Sequence, residues 1–140
     1  MPKNEARRKS RILVVEALFC YLFREKRKAN VVFNHVLKNI EQKKQDPFAK
    51  SLFTTAVKNL TKLKLILKVF APEYPFEKIA PINRTLIMLG LSEMKFTGTP
   101  PVVVINEYIE LAKIFGEHKS AGFINAVLDS FRKNTKLDTK

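Results

Sequence analysis

Cysteine, histidine, glycine and tryptophan are scarce in this sequence, whose 140 residues include one Cys, two His, four Gly and no Trp. Because Cys20 is the only cysteine, no intramolecular disulfide can form. His35 and His118 are far apart and lack Cys or carboxylate neighbours at ligand spacing, so we expect no metal site. The glycines are not clustered as they are in phosphate-binding loops, so we expect no nucleotide cofactor. We find no catalytic motif and expect no enzyme activity.

Acidic residues are also few. The chain has 13 Asp and Glu against 26 Lys and Arg, which leaves a net charge of +13 at pH 7. Solubility does not require so large a surplus in a small domain, so it indicates a polyanionic partner. The surplus lies mainly in the N-terminal half, because residues 1–28 contain nine basic and three acidic residues and residues 29–68 contain eight and two.

Long apolar runs are absent, and no run approaches the length of a membrane span. The N-terminus could be mistaken for a signal peptide, since a basic stretch precedes apolar residues 12–23. Glu16 interrupts that stretch, and the charged residues 24–28 (REKRK) stand where a cleavage site would need small side chains. We therefore expect a soluble cytoplasmic protein with no membrane partner.

The spacing of apolar residues predicts an all-α domain over residues 1–134, followed by a frayed basic tail at 135–140. Asn4 is a candidate N-cap of the first helix, and Asp46 is one for the third, with Pro47 as its first helical residue. The predicted helices cover residues 5–27, 30–44, 47 to just before Pro72, a short turn at 76–79, Pro81 or Asn83 to Met94, Pro101 to Phe115-Gly116, and 119–134.

Two C-terminal segments are more specific than this helical pattern. Residues 100–116 read PPVVVINEYIELAKIFG, and residues 123–129 read FINAVLD. Here the chain resembles the bacterial NusB family, whose members show a proline-led "INEAIELAKxFG" helix followed by "FVNGVLD". The resemblance extends in colinear order to VVEALF at 14–19 and to LGLSEM at 89–94. It implies a bundle of about six to seven helices in two three-helix subbundles.

The resemblance also implies a function. Members of the family are transcription antitermination factors that pair with NusE, a small ribosomal subunit protein. The pair binds boxA RNA in nascent transcripts and supports transcription of ribosomal RNA operons, while other Nus factors and RNA polymerase assemble around it. The family catalyses no reaction and uses no cofactor. Some members self-associate, so a homodimer of this chain is an open possibility.

Residues of the implied RNA surface occur in two places. The basic N-terminus contributes Lys3, Arg7, Arg8 and Arg11, and the region entering the last helix contributes Lys113, His118, Lys119 and Phe123. Spacing supports the first group, because Arg7 and Arg11 are four residues apart on one helix face and can reach successive phosphates. The alternative is a charge cluster that serves solubility. Phe123 either stacks on a base or packs in the core, since its spacing to Val127 fits both.

The implied NusE-facing surface consists of Phe19, Glu77 and Asn83. At two of these positions the chain departs from the family, which usually has a Tyr where Phe19 stands and an acidic residue where Asn83 stands. The missing hydroxyl and charge would remove polar contacts with a basic partner. We therefore expect weaker pairing with NusE or a compensating change in NusE.

Two other interpretations remain open. The first is the NusB-like domain of a ribosomal RNA cytosine methyltransferase, although the chain has no Gly-rich cofactor loop or catalytic cysteine motif. The second is a helical adaptor that binds only proteins, with lysines that merely keep its surface soluble. A steep dependence of binding on salt would favour the RNA-binding factor over the adaptor. The lysines between Lys38 and Lys68 have no partner in any of these interpretations.

Overall fold

The computed structural model of the chain describes residues 3–23, 28, 31–35, 46–115 and 118–135. These residues are predominantly helical and contain no strand, which confirms the predicted all-α class. Their contacts divide the chain into two compact units, Met1–Lys58 and Asn59–Lys140. Each unit is described by itself below. None of the described helices is both long enough and apolar enough to cross a bilayer.

The first unit is built on two packed helices, α1 (Lys3–Phe23) and α2 (Pro47–Lys58). Helix α1 begins at Lys3, so Asn4 lies within it rather than capping it. Of the predicted helix at 30–44, the structure describes residues 31–35, which are helical. The apolar core of the unit includes stacked rings of Phe33 and Phe53, with centroids 5.2 Å apart.

The predicted N-cap of α2 is confirmed. The Asp46 carboxylate accepts a hydrogen bond from the Ala49 backbone N–H at 3.0 Å, and Pro47 is the first helical residue. The second carboxylate oxygen of Asp46 accepts a hydrogen bond from the Ser10 hydroxyl on α1. Asp46 therefore starts α2 and also ties that start to α1.

The single helix predicted from residue 47 to just before Pro72 is wrong, because the structure divides it at Asn59. Helix α2 ends at Lys58 and α3 (Leu60–Phe70) begins after Asn59, whose φ and ψ are −111° and 19°. The spacing conceals this break. Ala56 and Leu63 are both buried and seven residues apart, so the apolar stripe keeps its phase across the turn.

The second unit contains α3, a 3₁₀ turn (Phe76–Lys78), α4 (Pro81–Phe96), α5 (Pro101–Ile114) and α6 (His118–Thr135). Apart from the start of α3, these bounds differ from the predicted ones by at most two residues, as expected at helix ends. Thr135, which we assigned to the tail, is the last residue of α6, and the rest of the predicted tail lies outside the described residues. Gly116, at the predicted end of α5, also lies outside them.

Helix α4 is the centre of the second unit and packs against α3, α5 and α6. Every residue from Thr85 to Met94 is buried. Gly90 allows close packing, because a Cβ there would lie 3.2 Å from both terminal methyl groups of Leu128 on α6. The Tyr108 hydroxyl on α5 donates a hydrogen bond of 3.0 Å to the buried Glu93 carboxylate. This buried acceptor therefore has a hydrogen-bond partner inside the core.

Candidate nucleic-acid interface

The first candidate surface is the N-terminal part of α1. Arg7 and Arg8 are half-buried there, and Lys9 is exposed. Arg11 is only 2% exposed. Lys3 is the first residue of the helix, and the structure describes only its backbone. The four predicted RNA-binding residues therefore share one helix, but they differ in how accessible they are to a ligand.

Two of these arginines pack against the same aromatic ring, that of Phe48. The guanidinium carbons of Arg7 and Arg11 lie 4.8 and 5.3 Å from the centroid of its ring, within cation–π distance. Phe48 lies in the first turn of α2, which Asp46 holds against α1. Because the Arg11 side chain is packed inside the unit, it is not presented to solvent in the way that the spacing predicts. Arg7 keeps part of its surface accessible.

The second candidate surface is an open groove of about 310 Å³ in the second unit. Its walls come from the turn that precedes α4, from the first turn of α4 and from the start of α6. It is lined by Tyr74, Lys78, Ile79, Ala80, Asn83, Lys119, Ser120 and Phe123. The structure thus brings two predicted RNA-binding residues, Lys119 and Phe123, together with Asn83, which we predicted to face NusE.

Two aromatic side chains form one wall of this groove. The rings of Tyr74 and Phe123 meet edge to face, with centroids 5.0 Å apart and an interplanar angle of 70°. Tyr74 is 53% exposed and Phe123 is half-buried. Phe123 thus lies at the surface rather than in the core, where Val127 is buried. Aromatic faces at a surface groove can stack on unpaired bases.

Sequence reasoning missed Tyr74 and Lys78. The available signal was an aromatic residue next to Pro75 in a proline-rich connection, because connecting segments disproportionately carry binding residues. Lys78 was inconspicuous because it is one of many lysines in the chain. Only the packing of this connection beside α6 places both residues on one groove with Phe123.

The polar lining of the groove supplies charge and hydrogen-bonding capacity. Lys78 and Lys119 are exposed. The Asn83 side-chain oxygen is buried and accepts no hydrogen bond from the described residues. Two ammonium groups can neutralise phosphates, and an amide oxygen can accept a bond from a base or from a protein donor. The groove is therefore suited to an unpaired nucleotide.

The other predicted site residues lie outside the groove lining. Lys113 is exposed on α5 and forms an ion pair with Glu110, with 3.1 Å between nitrogen and oxygen. His118 is the first residue of α6, and its side chain is outside the description. Among the described residues, no group of three His, Cys, Asp or Glu side chains could hold a metal ion.

The residues predicted to face NusE lie in both units. In the first unit, the half-buried Phe19 ring contacts that of Phe23, with centroids 5.5 Å apart, and Phe23 is 37% exposed. In the second unit, Glu77 is exposed in the 3₁₀ turn and Asn83 lies on the first turn of α4. An aromatic pair and an exposed carboxylate are suitable contacts for a basic protein partner.

Comparisons with known proteins agree with the resemblance. The sequence model of the NusB family matches residues 8–133. A Transcription antitermination protein NusB from a Nitratiruptor species is 38% identical over 93 residues, which are 66% of this chain and 67% of the relative. The structure of T. maritima NusB matches with a TM-score of 0.82 at 26% identity, covering 95% of this chain and 92% of that chain. A crystal structure of antitermination factors NusB and NusE in complex with dsRNA matches with a TM-score of 0.84 at 23% identity. The match covers 96% of this chain and 99% of the matched chain, so the two share a fold.

Proposed function

The chain belongs to the NusB family, and on that premise we propose that it is a transcription antitermination factor that pairs with NusE and binds boxA-type RNA in nascent transcripts. The name of its relative from Nitratiruptor supports the antitermination role. The complex of NusB and NusE with dsRNA supports the choice of partners, because it is built on the same fold. The chain acts by binding and catalyses no reaction.

The groove in the second unit is the observation that carries this proposal. It combines the exposed aromatic surface of Tyr74 and Phe123 with the ammonium groups of Lys78 and Lys119. Stacking and backbone neutralisation are two of the interactions by which proteins bind unpaired RNA. We assign the aromatic pair to base stacking and the two lysines to the adjoining phosphates.

The N-terminus of α1 provides a second RNA contact in this proposal. Arg7 and Arg8 keep accessible surface, and we assign them to phosphates. Arg11 has a supporting role, because it packs on the same Phe48 ring as Arg7. This division revises the expectation that Arg7 and Arg11 bind successive phosphates.

Asn83 connects the RNA groove with NusE pairing. Its buried side-chain oxygen lacks a donor among the described residues, and Asn83 lines the groove that contains the proposed RNA contacts. A NusE donor at Asn83 would sit beside bound RNA and complete the groove wall. We therefore expect NusE to raise RNA affinity, even though Phe19 and Asn83 offer a basic partner fewer polar contacts than the usual family residues.

A fluorescence anisotropy titration tests this function. Labelled boxA RNA and a scrambled RNA of equal length are titrated with the protein, with and without NusE, at two salt concentrations. We expect preference for boxA, tighter binding with NusE, and a slope of log affinity against log salt of about −0.7 per phosphate neutralised. Equal binding of both RNAs in the presence of NusE would refute the boxA assignment. Binding of NusE without any RNA binding would instead favour the helical adaptor.

A further inference from the structure

The outer face of α3 carries positive charge that the proposed function leaves unused. Residues 47–72 contain five lysines and no Asp or Glu. On α3, Lys62, Lys64 and Lys68 are exposed, while Leu63 and Leu67 of the same helix are buried. None of these lysines lines the groove of the second unit.

Three cationic groups converge on one aromatic ring beside this helix. The Lys64 and Lys68 ammonium nitrogens and the Arg84 guanidinium carbon lie 4.8, 5.7 and 4.9 Å from the centroid of the half-buried Phe76 ring. We name these four residues the Phe76 cluster. The ring attracts each cation, but the cations repel one another, and their repulsion grows as they approach. An anion bound between them would convert this repulsion into attraction.

No carboxylate among the described residues forms an ion pair with Lys64 or Lys68. Glu77, which follows Phe76 in the chain, forms none with either lysine. On the two helices that pack against α3, Glu93 is buried in a bond with Tyr108, and Asp129 is paired with Arg132 and Lys133. The structure therefore supplies no internal anion for these two lysines.

We propose that the Phe76 cluster is a second phosphate-binding site, which engages the RNA backbone outside the boxA element without reading its sequence. The inference rests on the proposed RNA-binding function. Lysine ammonium groups on flexible stems act as point charges and suit phosphates in varied geometries. Two residues of the cluster belong to chain segments that also line the groove. Arg84 is next to Asn83 on α4, and Phe76 is two residues before Lys78. In this proposal, RNA that leaves the groove reaches the cluster next.

The test compares short and extended RNA on the protein saturated with NusE. The short RNA contains boxA alone, and the extended RNA adds about a dozen unstructured nucleotides, roughly one single-strand site. The variant Lys64→Gln/Lys68→Gln removes two charges from exposed helix positions. For extended RNA, we expect its salt slope to be smaller in magnitude by about 1.4, so a fourfold rise in salt weakens its binding about sevenfold less than that of wild type. Its binding of short RNA should be unchanged.

A matched variant, Lys50→Gln/Lys58→Gln, removes the same net charge from exposed positions on α2, outside the Phe76 cluster. It should bind extended RNA with nearly the wild-type slope, and circular dichroism melting should verify that both variants are folded. Equal slopes for wild type and Lys64→Gln/Lys68→Gln, or equal losses in both variants, would overturn the proposal. A loss of NusE binding with an unchanged RNA slope would overturn it in favour of a protein contact. If wild type fails to bind short boxA RNA, the proposed function fails instead, and the extended RNA still reports on the cluster.

Discussion

Replacing Arg8 and Arg11 separately with alanine should change two different properties of the protein. Both residues belong to the basic N-terminus, and sequence spacing treats them alike. In the structure Arg8 is half-buried, whereas Arg11 is 2% exposed with its guanidinium over the Phe48 ring. We expect Arg11→Ala to lower stability and Arg8→Ala to weaken RNA binding.

The expected magnitudes follow from these positions. A desolvated cation–π contact contributes about 2 kcal/mol or more, and the buried stem of Arg11 adds packing that alanine cannot replace. Arg11→Ala should therefore reduce the free energy of unfolding by at least about 2 kcal/mol. Arg8→Ala should cost less than about 1 kcal/mol, because mutations outside the core have small effects. It should instead reduce the magnitude of the salt slope for boxA RNA by about 0.7, the value for one phosphate contact.

Urea unfolding followed by circular dichroism measures the first property, and anisotropy at low temperature, where both variants are folded, measures the second. Arg11→Lys is the control, because it keeps the charge but loses the planar guanidinium. It should retain the wild-type salt slope and recover only part of the lost stability. The assignment is refuted if Arg11→Ala is as stable as wild type and loses as much salt slope as Arg8→Ala.

Three further predictions concern the groove, the helix glycines and the interior of α1. Tyr74→Ala should weaken RNA binding by about 1 to 3 kcal/mol at an unchanged salt slope, because it removes stacking but no charge; anisotropy measures this, and a changed slope would contradict it. Gly122→Ala should raise the unfolding free energy by about 0.5 to 1 kcal/mol, since Gly122 is exposed on α6 with open space for a Cβ. Gly90→Ala should gain less in the same urea assay because of its close contact with α6, and an equal gain would show that this contact is not tight. Burial raises the pKa of the Glu16 carboxyl in the folded protein, so the fold favours the protonated carboxyl over the ionised one. The resulting stability is complete below the pKa of the unfolded chain and is lost as pH rises through the pKa of the folded protein. Glu16→Gln should therefore be more stable than wild type at neutral pH and lose this advantage below about pH 4 in urea titrations, whereas a gain independent of pH would exclude this cause.

Local signals in the sequence were sufficient for several elements of the fold. Asp46 and Pro47 predict the start of α2, because an N-cap carboxylate and a proline at the first helical position act on their own turn. The same is true of Pro101 at the start of α5. The break at Asn59 could not be predicted, because the apolar stripe on either side of it stays in phase.

The candidate site was predictable only in part. The resemblance in sequence identified Lys119, Phe123 and Asn83 in separate motifs, but it did not show that they line one groove. Tyr74 and Lys78 escaped notice because neither belongs to a periodic pattern or a family motif. Their position beside Phe123 depends on how the proline-rich connection packs near α6.

The sequence by itself determined the helical class, the strongly basic character and the family of this protein, because periodicity, charge and motifs are properties of neighbouring residues in the chain. The tertiary structure decided which charges and rings a ligand can reach. Arg7 and Arg11 share one face of α1 and both pack on Phe48 of another helix, yet Arg11 is buried and Arg7 keeps accessible surface. Lys64 and Lys68 similarly look like solubilising charges until Phe76 and Arg84 are seen beside them. The exposure of a side chain and the convergence of charges depend on contacts between residues that are distant in the chain. The spacing of residues along one helix cannot predict such contacts.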